Sequence, residues 1–393
     1  MIDVSALATL PATLLVNFPD RTAVTLIRWR YQERGPGAFL WTGHGGDCSA
    51  VFTVAPIALH GTISCLNANY GVEQVIDGSA FRLNRYIGNP SAPIAKPEDA
   101  PPSGLPGAVT DQTPATPNNA PDTAIDILVL YSEATRFHFD PNGGNAGTVA
   151  FARHCVDITQ QAMENSTSGW QPGQPAIATV NFVGAREVAG PSSPQLITDY
   201  LQYAVADPES VSLRNLYAAD AVVYLVENGL NAYGVAAVPG STSPGGTQIA
   251  PPGPGFAPRA VAVVQRNTAV ADDTGTYPQE PFVFPHEFAH LIGANHDVAA
   301  AGNNTTPLQS WAYGWYRDHA EGGARTILAY VEPSCTAPCT RILNYSNPDI
   351  YNDWFRTGTA ASANNALIIA DYSSYTAQYR ASLGRIFYDG FDY

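Results

Sequence analysis

Over residues 12–88 the chain runs through short β-branched and aromatic stretches, Thr22–Trp29, Ala50–Ala55 and Gly61–Cys65, separated by Gly, Pro and Asn. That rhythm predicts short strands closed by tight turns, and so a small all-β unit at 1–89. Beyond residue 123 the pattern changes. Ala124–Tyr131 is a continuous apolar run of strand length, and Ala146–Asn165 has helical spacing with Asn145 placed to cap it. Ala178–Val183 reads as a strand, Ser193–Ala204 as a helix, and Ala221–Val226 and Ala260–Val264 as two more strands. Strands alternating with helices argue for an α/β layered sheet rather than a sandwich. The Gly/Pro-rich stretch Pro239–Pro258 predicts a long surface loop, and Ala361–Leu383 a closing helix. No internal repeat is evident.

Between these two patterns, proline stands at 90, 93, 97, 101, 102, 106, 114, 117 and 121, with few large apolar residues. Residues 90–122 are therefore expected to be an extended linker and the natural place for a protease to cut. The expected division is 1–89, linker 90–122, main domain 123–383 and a tail 384–393. A chain of 393 residues has room for two cores, and 45% hydrophobic residues are enough to fill them. Charged residues make up only 13%, against roughly a quarter in ordinary globular chains. With a net charge of −15 and Lys96 as the sole lysine, nucleic acid and acidic membrane surfaces are excluded as expected partners.

Five cysteines fall as a close pair (Cys48, Cys65), a single (Cys155) and a second close pair (Cys335, Cys339). Two disulfides and one buried thiol is the economical reading, and it points to an oxidising compartment; five free thiols in a reducing one is the alternative. No apolar run approaches the ~20 residues of a membrane span. Met1–Asn17 carries Asp3 and lacks a basic start, so it does not read as a signal peptide. An exported protein whose signal is absent from this sequence is the expectation.

The chemistry concentrates in residues 281–297, Pro-Phe-Val-Phe-Pro-His-Glu-Phe-Ala-His-Leu-Ile-Gly-Ala-Asn-His-Asp. His286 and His290 are four apart, so on a helix both imidazoles leave one face and can share a cation. Glu287 stands on the same turn, within reach of a proton on a metal-bound water. Gly293 can take the left-handed conformation that ends a helix and brings His296 round as third ligand. Three imidazoles and an open position make a catalytic zinc site, whereas structural sites are closed by four protein ligands. With only 8 histidines in the chain, these offsets arise by chance in roughly 0.3% of such sequences.

This motif resembles the metzincin signature His-Glu-x-x-His-x-x-Gly-x-x-His, and Asp297 after the third histidine resembles the reprolysin-like (adamalysin-like) branch. Ile125–Tyr131 is similar to the first strand of that branch and Ala218–Val226 to its central strand. Arg325–Tyr330 and Tyr345–Pro348 are similar to segments downstream of the zinc helix. The likeness is nearest to bacterial enzymes of the peptidyl-Asp metalloendopeptidase kind and covers most of 123–383. It implies a zincin-like α/β (α+β) domain with a mixed five-stranded sheet, the zinc helix beneath it, and an irregular C-terminal subdomain. An extended peptide would add to an edge strand expected near Tyr233–Val238.

One departure stands out. The family places a Met in the turn under the zinc, where this chain has Leu328; the only methionines are Met1 and Met163. Met to Leu nearly conserves volume, so a working site is expected, with altered zinc retention as the point to check. Tyr330 matches the tyrosine that in astacins and serralysins binds the metal or donates to the tetrahedral intermediate; a core tyrosine under the turn is the alternative. Asp297 is expected to fix local geometry. The remaining histidines, 44, 60, 138, 154 and 319, are isolated in sequence and expected to be structural or surface groups.

Residues 1–89 resemble the β-rich prodomains of the same bacterial proteins, which implies a latent zymogen in which this chain's own N-terminal domain acts as inhibitor. Cys48 or Cys65 as a thiolate on the zinc, a bond between the two, and Asp47 as a carboxylate plug are the alternatives there. The implied activity is hydrolysis of extended polypeptides by a secreted monomer holding one zinc. A structural calcium is left open, since no residue set points to one. A metzincin-like protein that binds without cleaving, and a zinc hydrolase acting on another bond, are the rival readings.

Overall fold

A computed structural model describes residues 11–18, 20–66, 68–74, 81–86 and 124–380. The last span has gaps at 171, 173, 228–229, 231, 242–248, 267–270, 273–274, 277–281, 302–307, 319–322, 331–338 and 353. The linker at 90–122 and the tail at 384–393 lie outside the described residues.

The N-terminal strands are Thr13–Val16 (β1), Val24–Glu33 (β2), Phe39–Gly45 (β3), Cys48–Ala55 (β4), Ala58–Cys65 (β5), Ala68–Gln74 (β6) and Phe81–Tyr86 (β7). They form one sheet in chain order, each antiparallel to the next. Leu14, Val16, Leu26, Phe39, Trp41, Phe52, Ile63, Tyr70 and Val72 make its core. The sequence pattern marks only three of these seven strands. β1, β3, β6 and β7 are short or interrupted by Gly, Asn and Arg, and they are held by their neighbours' ladders rather than by intrinsic preference.

The second sheet has the order β11-β12-β10-β8-β9, from Ala124–Tyr131 (β8), Thr179–Glu187 (β9), Ala221–Val226 (β10), Gly234–Ala236 (β11) and Val261–Gln265 (β12). Four strands are parallel, and β11 runs antiparallel at the edge. It is the mixed five-stranded sheet expected. Its continuous apolar strands alternate between two buried faces, as a sheet covered on both sides requires. Ile125, Ile127, Val129, Val223, Leu225, Ala262 and Val264 face one core, while Leu128, Leu130, Val222, Tyr224, Val261 and Val263 face the other. The second core is closed by helix Ile197–Ala206, which begins later than its apolar spacing suggests because Asp199 accepts from the backbone N–H groups of Gln195 and Leu196.

The first core is closed by helix Ala146–Asn165, helix Val283–Leu291 and the C-terminal region. Ala146–Asn165 has the bounds expected but a different cap. Asn145 makes no side-chain cap bond; the Asp140 carboxylate instead accepts from the N–H groups of Gly147 and Thr148, both at 2.9 Å. The carboxylate adds charge where the helix end is positive, which a neutral amide does not. The closing helix is shorter than its pattern, Asn365–Thr376, because Asn364 caps it by accepting from Leu367 N–H at 3.1 Å.

Helix Ala146–Asn165 lies between the two sheets. Its apolar side, with Ala152, Cys155, Val156, Ala162 and Met163, joins the five-stranded core. Its polar stripe, His154, Asp157, Gln161 and Glu164, is buried too. Arg34 of the N-terminal unit grips Asp157 with two bonds of 2.6 and 2.7 Å. Thr53 donates to the same carboxylate at 2.6 Å, and Arg30 pairs with Glu164. Among the described residues, no helix is long and apolar enough to cross a membrane.

Candidate metal centre

All nine residues of helix Val283–Leu291 are buried. Pro285 sits in the first turn, where a missing N–H costs nothing, and Tyr345 donates its hydroxyl to the Pro285 carbonyl at 2.9 Å. Phe288, Ala289 and Leu291 are in the core under the sheet. At the far end Gly293 stands at φ +102°, in the region that favours glycine, and the chain reverses into the short strand Asn295–Asp297. That strand pairs with Tyr313–Gly314 and carries His296 back toward the helix.

The three imidazoles converge. Nε2 of His286 lies 3.3 Å from those of His290 and His296, and the latter two are 3.0 Å apart. A tetrahedral zinc with Zn–N of ~2.0–2.1 Å places its ligand nitrogens ~3.3 Å from one another, so the spacing suits that ion. The second nitrogens set the tautomer. His286 Nδ1 is 2.9 Å from the Ile327 carbonyl and His290 Nδ1 is 2.8 Å from the Ala294 carbonyl. Carbonyls only accept, so Nδ1 carries the proton and Nε2 presents its lone pair inward. Lone pairs aimed at one point are a metal-binding arrangement. Among the described residues, His286, His290 and His296 are the one group able to hold a metal ion through three or more side chains.

Glu287 shares the turn with His286 and is fully buried, against the edge strand β11. Asp297 makes structural bonds. One oxygen accepts from the N–H groups of Ala299 and Ala300 at 3.1 Å, and the other from Tyr330 N–H at 3.0 Å. It thereby ties the third histidine to the turn beneath the site. That turn is pinned on both sides. Thr326 exchanges bonds of 3.0 Å with the Trp315 backbone, Ile327 N–H meets Asn344 O at 3.1 Å, and Arg325 donates to Ala329 O at 2.8 Å. Leu328 is fully buried there, in the core, and the neighbouring Ile327 carbonyl is the one that orients His286. The Tyr330 ring lies 4.4 Å from His296 and stacks near-parallel to His286 at 6.1 Å.

Every residue singled out by the motif is thus brought to one place: His286, Glu287, His290, Gly293, His296, Asp297, Leu328 and Tyr330. Sequence reasoning missed the backbone acceptors at Ala294 and Ile327 and the Arg325 brace, because a carbonyl's direction leaves no residue signature. Cys48 and Cys65 bond to each other across β4 and β5, so neither is a free thiol. Asp47 is occupied by Arg21 at 2.5 Å, which also holds its carboxyl below the usual range against the opposing effect of burial. Cys155 is a buried free thiol, its pKa raised by burial, and Cys339 is disulfide-bonded; Cys335 lies outside the described residues. Of the other histidines, His44 is exposed, while His60 and His154 meet 6.2 Å apart under the N-terminal sheet. His138 faces Glu227 at 3.7 Å, and His319 lies outside the described residues.

No protein-family model matches the chain. Among curated proteins it is similar to the peptidyl-Asp metalloendopeptidase of Stenotrophomonas maltophilia strain K279a, 29% identical over 242 residues, which covers 60% of this chain and 51% of that protein. The protein of the same name from strain R551-3 is 27% identical over 309 residues, covering 77% and 66%. That of Xanthomonas campestris pv. campestris is 27% identical over 242 residues, covering 60% and 50%. The chain spans about half to two-thirds of the length of these relatives. Among solved structures, metalloproteinase-II from Bacteroides fragilis matches with TM-score 0.37 and 13% identity, covering 75% of this chain and 85% of that one. A chaperone–substrate complex matches with TM-score 0.45 and 13% identity, covering 81% and 39%. Likenesses this distant carry no argument about function.

Proposed function

We propose that this chain is a zinc-dependent metalloendopeptidase acting on extended polypeptides. The observation that carries the reading is the convergence of three Nε2 atoms within 3.3 Å, two of them oriented by backbone carbonyls, on the helix that also bears Glu287. The curated relatives, each named a metalloendopeptidase, support it.

His286, His290 and His296 would hold the ion, which supplies Lewis-acid polarisation of the scissile carbonyl and makes water a nucleophile near neutral pH. The chain's own groups do the rest. The strand β11, paired on one side by β12 at the edge of the sheet, would seat the backbone of an extended substrate by sheet addition. Glu287 takes the proton of the attacking water on its carboxylate and delivers it to the departing amine. Its burial keeps bulk water from competing for that proton. Tyr330, beside His296, is placed to steady the ligand ring or to meet the developing oxyanion. The relatives' names add a preference for bonds at aspartate.

The N-terminal sheet is the latency element of this reading, docked on helix Ala146–Asn165 through Arg30, Arg34 and Thr53. Export is supported by the Cys48–Cys65 disulfide, at home in an oxidising compartment. The test is elemental analysis with casein cleavage, with and without chelator, on the full chain and on a chain beginning near Thr123. About one zinc per chain, chelator-sensitive cleavage and higher activity in the shorter chain are expected. Zinc with no cleavage by either chain would leave a binding protein instead.

A further inference from the structure

We propose that Gly234 is a positioning residue for Glu287, a place where the lack of a side chain sets where the general base stands. The inference deepens the peptidase reading and rests on it. Gly234 opens β11 and pairs with Val264. Its φ lies outside the left-handed region, so the backbone there does not call for glycine. Space does. A Cβ at 234 would stand 2.1 Å from Glu287 Oε1, 2.4 Å from Cδ and 2.5 Å from Cγ. All three nearest atoms belong to the same side chain.

Contacts that short cannot persist, and the partners differ in how far they can yield. The β11 backbone is fixed by its ladder to β12, and Val235 and Ala236 are buried on either face. Glu287, by contrast, has three rotatable bonds. An added methyl is therefore relieved by moving the carboxylate, with the strand left in place. Residues 234 and 236 share the face turned to the metal helix, and both are minimal: Ala236 shares a core with Phe288, while Val235 belongs to the opposite core. The inner face of the edge strand is thinned where the helix presses on it. Because the same strand seats the substrate, the peptide and the proton acceptor are aligned by one element.

The experiment is a double-mutant cycle in the full chain: Gly234→Ala, Glu287→Asp and both together. Gly234→Ala is expected to lower kcat on a peptide by ~100-fold, the cost of a misplacement near 1 Å, with KM within about threefold. Its zinc content and thermal midpoint stay close to wild type. In the Glu287→Asp background the carboxylate is one methylene shorter, and the same alanine then costs less than about threefold. Equal losses in both backgrounds, kcat within about threefold of wild type in the single variant, or a loss confined to KM overturns the proposal. If Gly234→Ala fails to fold while the double variant folds, the contact is supported; failure of both overturns it. A wild-type protein that cleaves nothing, either as the full chain or as the chain beginning near Thr123, sinks the peptidase reading alone. The contact is then read from the visible spectrum of the cobalt(II)-loaded protein, which Gly234→Ala must change in the wild-type background and leave unchanged beside Glu287→Asp.

Discussion

At the metal centre three imidazoles turn their Nε2 atoms toward one another, whereas at the seam under the N-terminal sheet His60 and His154 have no shared target. His154 is engaged at both nitrogens, Nδ1 3.0 Å from the Thr53 hydroxyl and Nε2 2.9 Å from that of Thr62. Thr53 spends its one proton on Asp157, so it accepts from His154 Nδ1–H, and Nε2 accepts from Thr62. His60 lies edge-on to Phe139 and Phe151 at 5.3 and 5.4 Å. Burial pushes His60 down to about 3, helped by the neighbouring His154, and pushes His154 down to about 4. Both sites set imidazole nitrogens against protein oxygens. They differ in the partner given to the second nitrogen: a carbonyl behind leaves Nε2 turned toward the other imidazoles, while a hydroxyl on each side leaves nothing to offer a cation.

The sharpest way to break this comparison is at Glu287. Glu287→Ala should lower casein cleavage by ~10³-fold or more while zinc content stays near wild type. Loss of zinc along with activity would mean that the carboxylate holds the ligands together, and the contrast between a working centre and a structural seam would weaken.

Next in size is the response to acid. The unfolded chain protonates both seam histidines near 6.5, while the folded one resists until about 3 to 4. The unfolded state therefore binds more protons in between, and stability falls as pH drops from 6.5 toward 4, by an amount on the order of several kcal/mol. Asp157 adds to this lower down: burial opposes its charge, but Arg34 and Thr53 hold its carboxyl below the usual range, so its contribution is lost only below about pH 4. Urea midpoints measured across that range check the sign; a flat profile would show that the seam opens to water before the chain unfolds.

Arg34→Ala leaves the buried Asp157 carboxylate without its guanidinium and should cost the full chain ~3 kcal/mol of stability. A urea midpoint equal to that of the wild type would show that the seam does not rest on this pair. Smallest is Leu328→Met, which restores the residue the resemblance expects. A change below ~1.5 kcal/mol in stability is expected, since the turn is fixed by Thr326, Ile327 and Arg325 rather than by the side chain at 328. Tighter zinc retention in that variant, followed by competition with a chelator, would instead give the leucine a role of its own.

The two regions were not equally legible. The metal centre is written in one contiguous stretch whose spacing maps directly onto one helix turn and one reversal, so His286, Glu287, His290, Gly293 and His296 could be read together. The central strands were readable for a similar reason, each being an unbroken apolar run. The seam is written in pieces. His154, Asp157, Gln161 and Glu164 recur at three- and four-residue steps, the mark of a solvent-facing stripe, and nothing local says that Arg34 and Thr53, 123 and 104 residues away from Asp157, will cover it. Gly234 was equally hidden, because an absent side chain has meaning only once the helix opposite is in place.

The stripe along helix Ala146–Asn165 also bears on what a cut between the two units would leave behind. Its side chains can exchange each partner in the N-terminal sheet for a water molecule, while Ala150, Phe139, Phe151 and Trp170 would lose the cover of Ala55, Ala58, His60 and Trp29. A unit freed of that sheet would carry a mixed flank, charged along the helix and aromatic beside it.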